Sequence, residues 1–203
     1  MKKELQESDL HLMNLPRRFW DSSLKYVTEV NNTKGIIERY TRLLPQFVKA
    51  GVGLMLWGAN GRGKTSIMAV IGKEAKRNGL SVFFYESASL KADVINKVMF
   101  SETSSVWDRA KNVDILLLDD LGKGVQDSTG FGARLIDELL RYRYSRMKVT
   151  IITTNMPPSS VKDELKISTI HTMKESIIPM SVEGVDFREA KKDKIVKMLK
   201  GQK

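Results

Sequence analysis

The chain has 203 residues, with 34 lysines and arginines against 24 aspartates and glutamates, a net charge of +10 and no cysteine. That length predicts one domain. No apolar run reaches the ~18 residues of a membrane span, the charged opening MKKELQESDLHL lacks the apolar core of a signal peptide, and the missing cysteines exclude disulfides, thiolate zinc sites and a cysteine nucleophile. The cytoplasm is the expected setting, and the basic excess favours a polyanionic partner. That excess is spread along the chain: +3 over residues 1–50, +4 over 51–100, none over 101–161 and +3 over 162–203. No basic tail dominates; a basic face assembled by folding and a plainly solubilising surface both remain open.

Residues 1–13 are polar and expected to fray. Asn14 to Trp20 reads as an extended opening segment, because Leu15 precedes Pro16 and is pushed out of the helical region. A helix is predicted over Thr33 to Lys49, with Ile36, Ile37, Tyr40, Leu43, Leu44 and Phe47 at helical spacing. The apolar run Val52 to Trp57 is a buried strand, followed by a glycine-rich turn and a helix over Lys64 to Arg77 that stops at Asn78-Gly79. Ser81 to Tyr85 is a second strand, Ala88 to Phe100 a helix and Ser104 to Lys111 a shorter one. Asp114 to Asp119 is a third strand, apolar enough for a sheet covered on both faces. A loop spans Gly122 to Gly132, a long helix runs on to Arg146, and Val149 to Thr154 is a fourth strand. Two short helices over Ser159 to Glu175, a fifth strand at Pro179 to Val182 and a basic amphipathic helix from Phe187 to Leu199 complete the chain. Alternating strands and helices imply an α/β fold, a parallel five-stranded sheet with helices on both faces.

Gly58-Ala59-Asn60-Gly61-Arg62-Gly63-Lys64-Thr65 matches G-x-x-x-x-G-K-[ST] at every fixed position, after a strand and before a helix. The glycines let successive N–H groups turn inward around a phosphate. The helix that starts at Lys64 points its positive end at the same anion. Residues 58–65 together with Ser66 are therefore the candidate ATP-binding segment, with Lys64 reaching the β- and γ-phosphates and Thr65 holding Mg2+. Asp119 and Asp120 end the third strand, where a carboxylate of a parallel sheet faces the ligand crevice. Asp119 would share the Mg2+ with Thr65. Asp120 would polarise an attacking water, or else cap the turn at Leu121-Gly122. Asn155 ends the fourth strand. If that strand lies between the phosphate-loop strand and the Asp119 strand, Asn155 points at the γ-phosphate; otherwise it opens the Met156-Pro157-Pro158 turn.

Taken together the motifs resemble the DnaC/IstB group of AAA+ P-loop ATPases. The resemblance rests on Asn14 to Phe19, Gly53 to Gly58, Val113 to Gly122, Arg143-Tyr144, Thr153-Thr154-Asn155 and Val182 to Arg188, and covers about residues 14–190. It implies an ATPase domain over residues 14–203 behind a short polar segment, 1–13, with little or no C-terminal lid. It also implies that Arg188 lies near the γ-phosphate, that the protein oligomerises with ATP, and that it binds DNA, single-stranded by preference, and a replicative helicase. An ATPase helper of a transposase, acting on duplex DNA, is the alternative. Tyr85, Lys91 and Lys97 are candidate single-strand contacts.

Two departures from the family pattern stand out. No separate N-terminal domain for gripping a helicase fits before residue 14. There is also no arginine between Met147 and Phe187, where the family's trans-acting finger belongs; Thr172 takes its place, with Lys174 two residues on. A lysine lacks the planar fork that bridges phosphate oxygens, so weak intrinsic hydrolysis, or a finger supplied by a partner, is expected, with Lys174 standing in for the finger as the alternative. A small-molecule phosphotransferase and a nucleotide-bound switch that barely hydrolyses are the remaining readings.

Overall fold

The computed structural model describes residues 4–24, 33–89, 105–122, 130–165 and 167–187, together with 192, 196 and 199. Five strands, β1 (Gly53–Trp57), β2 (Val82–Glu86), β3 (Ile115–Leu121), β4 (Val149–Thr154) and β5 (Ile177–Ser181), form one sheet in the order β2-β3-β4-β1-β5. All the pairings are parallel. The fourth strand thus lies between the phosphate-loop strand and the strand ending in Asp119, the condition on which the reading of Asn155 depended.

Eight α-helices are described: α1 (Glu7–Leu12), α2 (Lys34–Arg42), α3 (Leu44–Ala50), α4 (Lys64–Arg77), α5 (Ser105–Asn112), α6 (Phe131–Ser145), α7 (Pro158–Glu164) and α8 (Ile167–Ser176). Alternation along the strands divides the apolar side chains between two faces. Leu54, Leu56, Phe84, Ile115, Leu117 and Ile151 pack with Ile67, Met68 and Ile71 of α4 and Ile37 of α2. Met55, Phe83, Tyr85, Leu116, Leu118 and Ile152 pack with Leu135, Ile136 and Leu139 of α6 and Met173 of α8. β1 to β4 bury both of their faces, so the sequence there shows apolar runs rather than alternation, whereas β5 leaves Ile178 and Pro179 exposed.

Three elements differ from the sequence reading. The helix expected over Thr33 to Lys49 breaks at Leu43. Pro45 has no N–H, and its ring would clash with the carbonyl of Thr41, so it is accommodated only in the first turn of a new helix. Residues 7–12 are helical rather than frayed, with Leu10 and Met13 buried in the first core and Asp9 buried beside Lys76 at 3.8 Å. Residues 17–19 form a 3-10 turn rather than continuing extended from Pro16. This opening segment is tied to the sheet: Phe84 N donates to Met13 O (2.7 Å) and Asn14 Nδ2 donates to Phe84 O (3.1 Å) along the outer edge of β2. Buried Lys73 of α4 holds its far end, donating to the carbonyls of Trp20 (2.6 Å) and Ser22. The helix expected over Ala88 to Phe100 and the basic helix after Phe187 fall largely outside the described residues.

Candidate functional site

The site is built where β1, β3 and β4 end. β1 runs into the loop 58–63, which turns back on itself through positive φ at Gly61 (+77°) and Gly63 (+84°), a region closed to most side chains. Lys64 opens α4 and is only 8% exposed. Its Nζ donates to Gly58 O, Ala59 O and Asn155 Oδ1, each at 2.8 Å. The ammonium is thus held between the loop and the end of β4, and of its three acceptor residues Asn155 lines the crevice.

Asp119 is buried at the end of β3. Thr65 Oγ1 donates to its Oδ1 at 2.9 Å, and the Thr153 hydroxyl donates to the same oxygen. Burial raises the Asp119 pKa; the two hydroxyl donors lower it, and the carboxylates of Asp120 and Glu86 push it back up. Neighbouring strand residues would normally point to opposite faces. Here the β3–β4 register slips between Leu118 and Leu121, and Asp120 adopts φ +56°. The bulge re-aims its side chain, so Asp119 and Asp120 both line one cavity of about 260 Å³. The turn is held by three bonds: Asp120 N to Thr153 Oγ1 (2.9 Å), Ser87 Oγ to Asp120 O (2.7 Å), and Asn155 Nδ2 to Asp120 Oδ1 (3.2 Å). A polar chain therefore links Lys64 through the Asn155 amide to Asp120.

Asn60, Gly61, Arg62, Gly63, Thr65 and Ser66 border the same cavity, as the sequence motif requires. Pro16, Arg18 and Phe19 close it from the opening segment, and Phe187 from the far end of the chain. Glu86, which sequence reading passed over, also lines it. It is the last residue of β2, opposite Asp119 in register, and its position one residue beyond the apolar run SVFFY is the signal that could have found it. Tyr85 corrects an expectation. It is 5% exposed and stacks on Phe83 at 5.6 Å in the second core, so it offers no ring to a nucleic-acid base. Arg188, Lys91 and Lys97 lie outside the described residues. Lys174 is exposed on α8.

Residues 7–174 match the family of IstB-like ATP binding proteins. The chain belongs to that family. Its fold is that of the AAA+ P-loop ATPases. The DnaC helicase loader superposes with a TM-score of 0.72 at 21% identity, over 83% of this chain and all of that one. DnaI superposes at 0.68 and 22% identity, over 89% and 99%. Among curated relatives, the chromosomal replication initiator protein DnaA of Helicobacter hepaticus is 26% identical over 125 residues, 59% of this chain and 26% of that protein. This IstB-like chain thus spans about a quarter of the length of that relative. The family description names ATP as the ligand.

Proposed function

We propose that this protein binds and hydrolyses ATP at the loop 58–66 and couples the cycle to DNA and a replicative helicase during DNA replication, as a cytoplasmic helicase-loader type AAA+ protein. The observation that carries the ATPase reading is the linkage of Lys64, Asn155 and Asp120 beside the Thr65–Asp119 pair. The inward N–H groups of residues 59–65 and the Lys64 ammonium bind the phosphates, with the helix dipole of α4 behind them. Lys64 exchanges its loop carbonyls for phosphate oxygens as ATP enters.

Thr65 and Asp119 fit Mg2+: a hydroxyl and a carboxylate oxygen already meet at 2.9 Å, hard donors of the kind this cation takes alongside phosphate and water. When bound, Mg2+ would neutralise charge on the β- and γ-phosphates. Asp120 accepts the proton of the attacking water, and the Asn155 amide holds that carboxylate in place. Arg188 is assigned near the γ-phosphate, and ATP-driven self-association is expected of residues 14–203.

The loader reading draws on the match to all of the chain in the crystal structure of the DnaC helicase loader; the +10 charge suits a DNA partner. The match to the IstB-like ATP binding proteins leaves open a second reading, an ATPase helper of a transposase acting on duplex DNA. The test is ATP hydrolysis with and without single-stranded DNA, plus retention of the replicative helicase on the immobilised full chain. Stimulation by single strands and helicase retention are expected. Intact ATP binding with no helicase retention, and a preference for duplex in a gel shift, would replace the loader with the transposition helper. Weak hydrolysis by the isolated protein is expected too, because no arginine lies between Met147 and Phe187.

A further inference from the structure

The segment that follows β5 lies against the phosphate-binding loop along the loop's whole length. Val182 N donates to Trp57 O at 2.8 Å, continuing the β1–β5 pairing past the end of β5. Beyond it, the Gly184 carbonyl accepts from Arg62 Nη1, and Phe187 N donates to Gly61 O at 3.0 Å. All three glycines of the motif face this segment. A Cβ added at Gly58 would come within 2.6 Å of Val182 O, one at Gly63 within 3.0 Å of the Phe187 ring, and one at Gly61 would overlap the Asp186 carboxylate. The glycines are therefore required twice, by their backbone angles and by the chain seated on them.

We propose that residues 182–187 form a positioning strap for the phosphate-binding loop, and that Asp186 is its positioning residue, lodged on Gly61. The inference rests on the nucleotide-site reading above. Its physical content is the orientation of one peptide. The Gly61 carbonyl is drawn to the strap by Phe187 N–H, and in a trans peptide the N–H of the next residue points the opposite way. The Arg62 N–H is thereby turned to the concave side of the loop, where a phosphate oxygen would take it. The Asp186 carboxylate occupies the volume a side chain at position 61 would fill, and so blocks rotation of that peptide. Asp186 acts through that donor rather than on the phosphates directly. Preorganised donors of this kind raise affinity by avoiding the ordering that binding would otherwise require.

The test compares wild type, Asp186→Ala and Asp186→Asn in the full chain, reading affinity for fluorescent ATP and ADP, kcat, KM and the nucleotide-free melting temperature. Asp186→Ala is expected to weaken both nucleotides about tenfold, the effect of one charge-assisted hydrogen bond. The loss should fall on KM more than on kcat, with the nucleotide-free melting temperature unchanged. Asp186→Asn, equal in shape, should recover most of the affinity. Gly61→Ala expels the carboxylate by itself, so adding Asp186→Ala to Gly61→Ala should weaken binding little further. Unchanged affinity in Asp186→Ala, or fully multiplicative losses in the double variant, would overturn the proposal. So would an affinity loss that tracks a fall in melting temperature and is not restored by Asp186→Asn. Wild-type protein that bound neither nucleotide would instead overturn the nucleotide reading, and the strap's role with it.

Discussion

Two buried cations sit at opposite ends of β4. Arg143, fully buried near the end of α6, lies under the N-terminal ends of β3 and β4; Lys64 lies over the C-terminal ends of β1 and β4. Arg143 donates from all three nitrogens of its guanidinium: Nε to Thr150 Oγ1, Nη1 to the carbonyls of Ala110, Lys111 and Val113, and Nη2 to those of Asp114 and Val149. Burial pushes its pKa down to about 9 while Asp114 opposes the shift, so it remains charged at neutral pH. Lys64 makes three bonds to a loop and a strand end. The planar fork is spent on the Thr150 hydroxyl and on backbone carbonyls that end α5 and start two strands. The ammonium is a point charge whose acceptors a phosphate can replace. One end of the sheet uses a charge to close the fold, and the other keeps a charge available for exchange.

The sharpest way to break this contrast is Arg143→Met. It leaves several buried carbonyls without donors and is expected to cost about 3 kcal/mol or more in urea unfolding, with nucleotide affinity preserved in whatever fraction stays folded. A normal unfolding midpoint would show that the α5–β3–β4 junction does not depend on the guanidinium. Lys64→Ala should invert the pattern: a melting temperature near wild type, with ATP turnover down at least a hundredfold. Were the melting temperature to collapse instead, Lys64 would belong with Arg143 as a structural cation. Asp120→Asn is placed between them in effect. Nucleotide binding should survive while kcat falls about a hundredfold, the scale of a lost general base; retained hydrolysis would favour a water activated from elsewhere, with Glu86 the next carboxylate to change.

The smallest effect concerns the closed end. Asp114 is partly desolvated, which raises its pKa. The Ser81 hydroxyl and N–H and the Lys148 ammonium (2.9 Å) outweigh that and bring it from 3.8 down to about 2. A depressed carboxylate contributes stability above its unfolded pKa and loses it as pH falls through the folded one. Stability should therefore drop between about pH 4 and pH 2. Asp114→Asn should begin slightly less stable at pH 7 and show a shallower acid limb, as followed by circular dichroism. An acid limb identical to wild type would remove Asp114 from the account.

Local chemistry made much of this readable in advance. The run before Gly58, the glycine spacing and Lys64 specify a strand, a loop and a helix within fifteen residues, and Asp119 and Asn155 announce two strand ends by polarity alone. What escaped was set by distant parts of the chain. Asp120 reaches the cavity because of a bulge, and a register slip between β3 and β4 leaves no trace in either segment. Arg143 looks like an ordinary charge in a helix until Ala110, Val113 and Val149 converge on it. The strap falls within Val182 to Arg188, one of the segments that carry the family resemblance, but its target, Gly61, lies 125 residues upstream of Asp186. Pro45 and Glu86 were local signals passed over.

The outer margins of the sheet bear on how such a molecule keeps company with its copies. A β-sheet ordinarily ends in a row of unpaired amides that invites another chain to add a strand. On the β2 side, Met13 and Asn14 occupy the backbone groups of Phe84. On the β5 side, Pro179 deletes one amide from the row, as edge strands often do. Strand addition is discouraged at both margins, so the self-association proposed above would use side-chain surfaces. Contacts of that kind can form and release with each nucleotide exchanged, whereas a shared sheet would be difficult to undo.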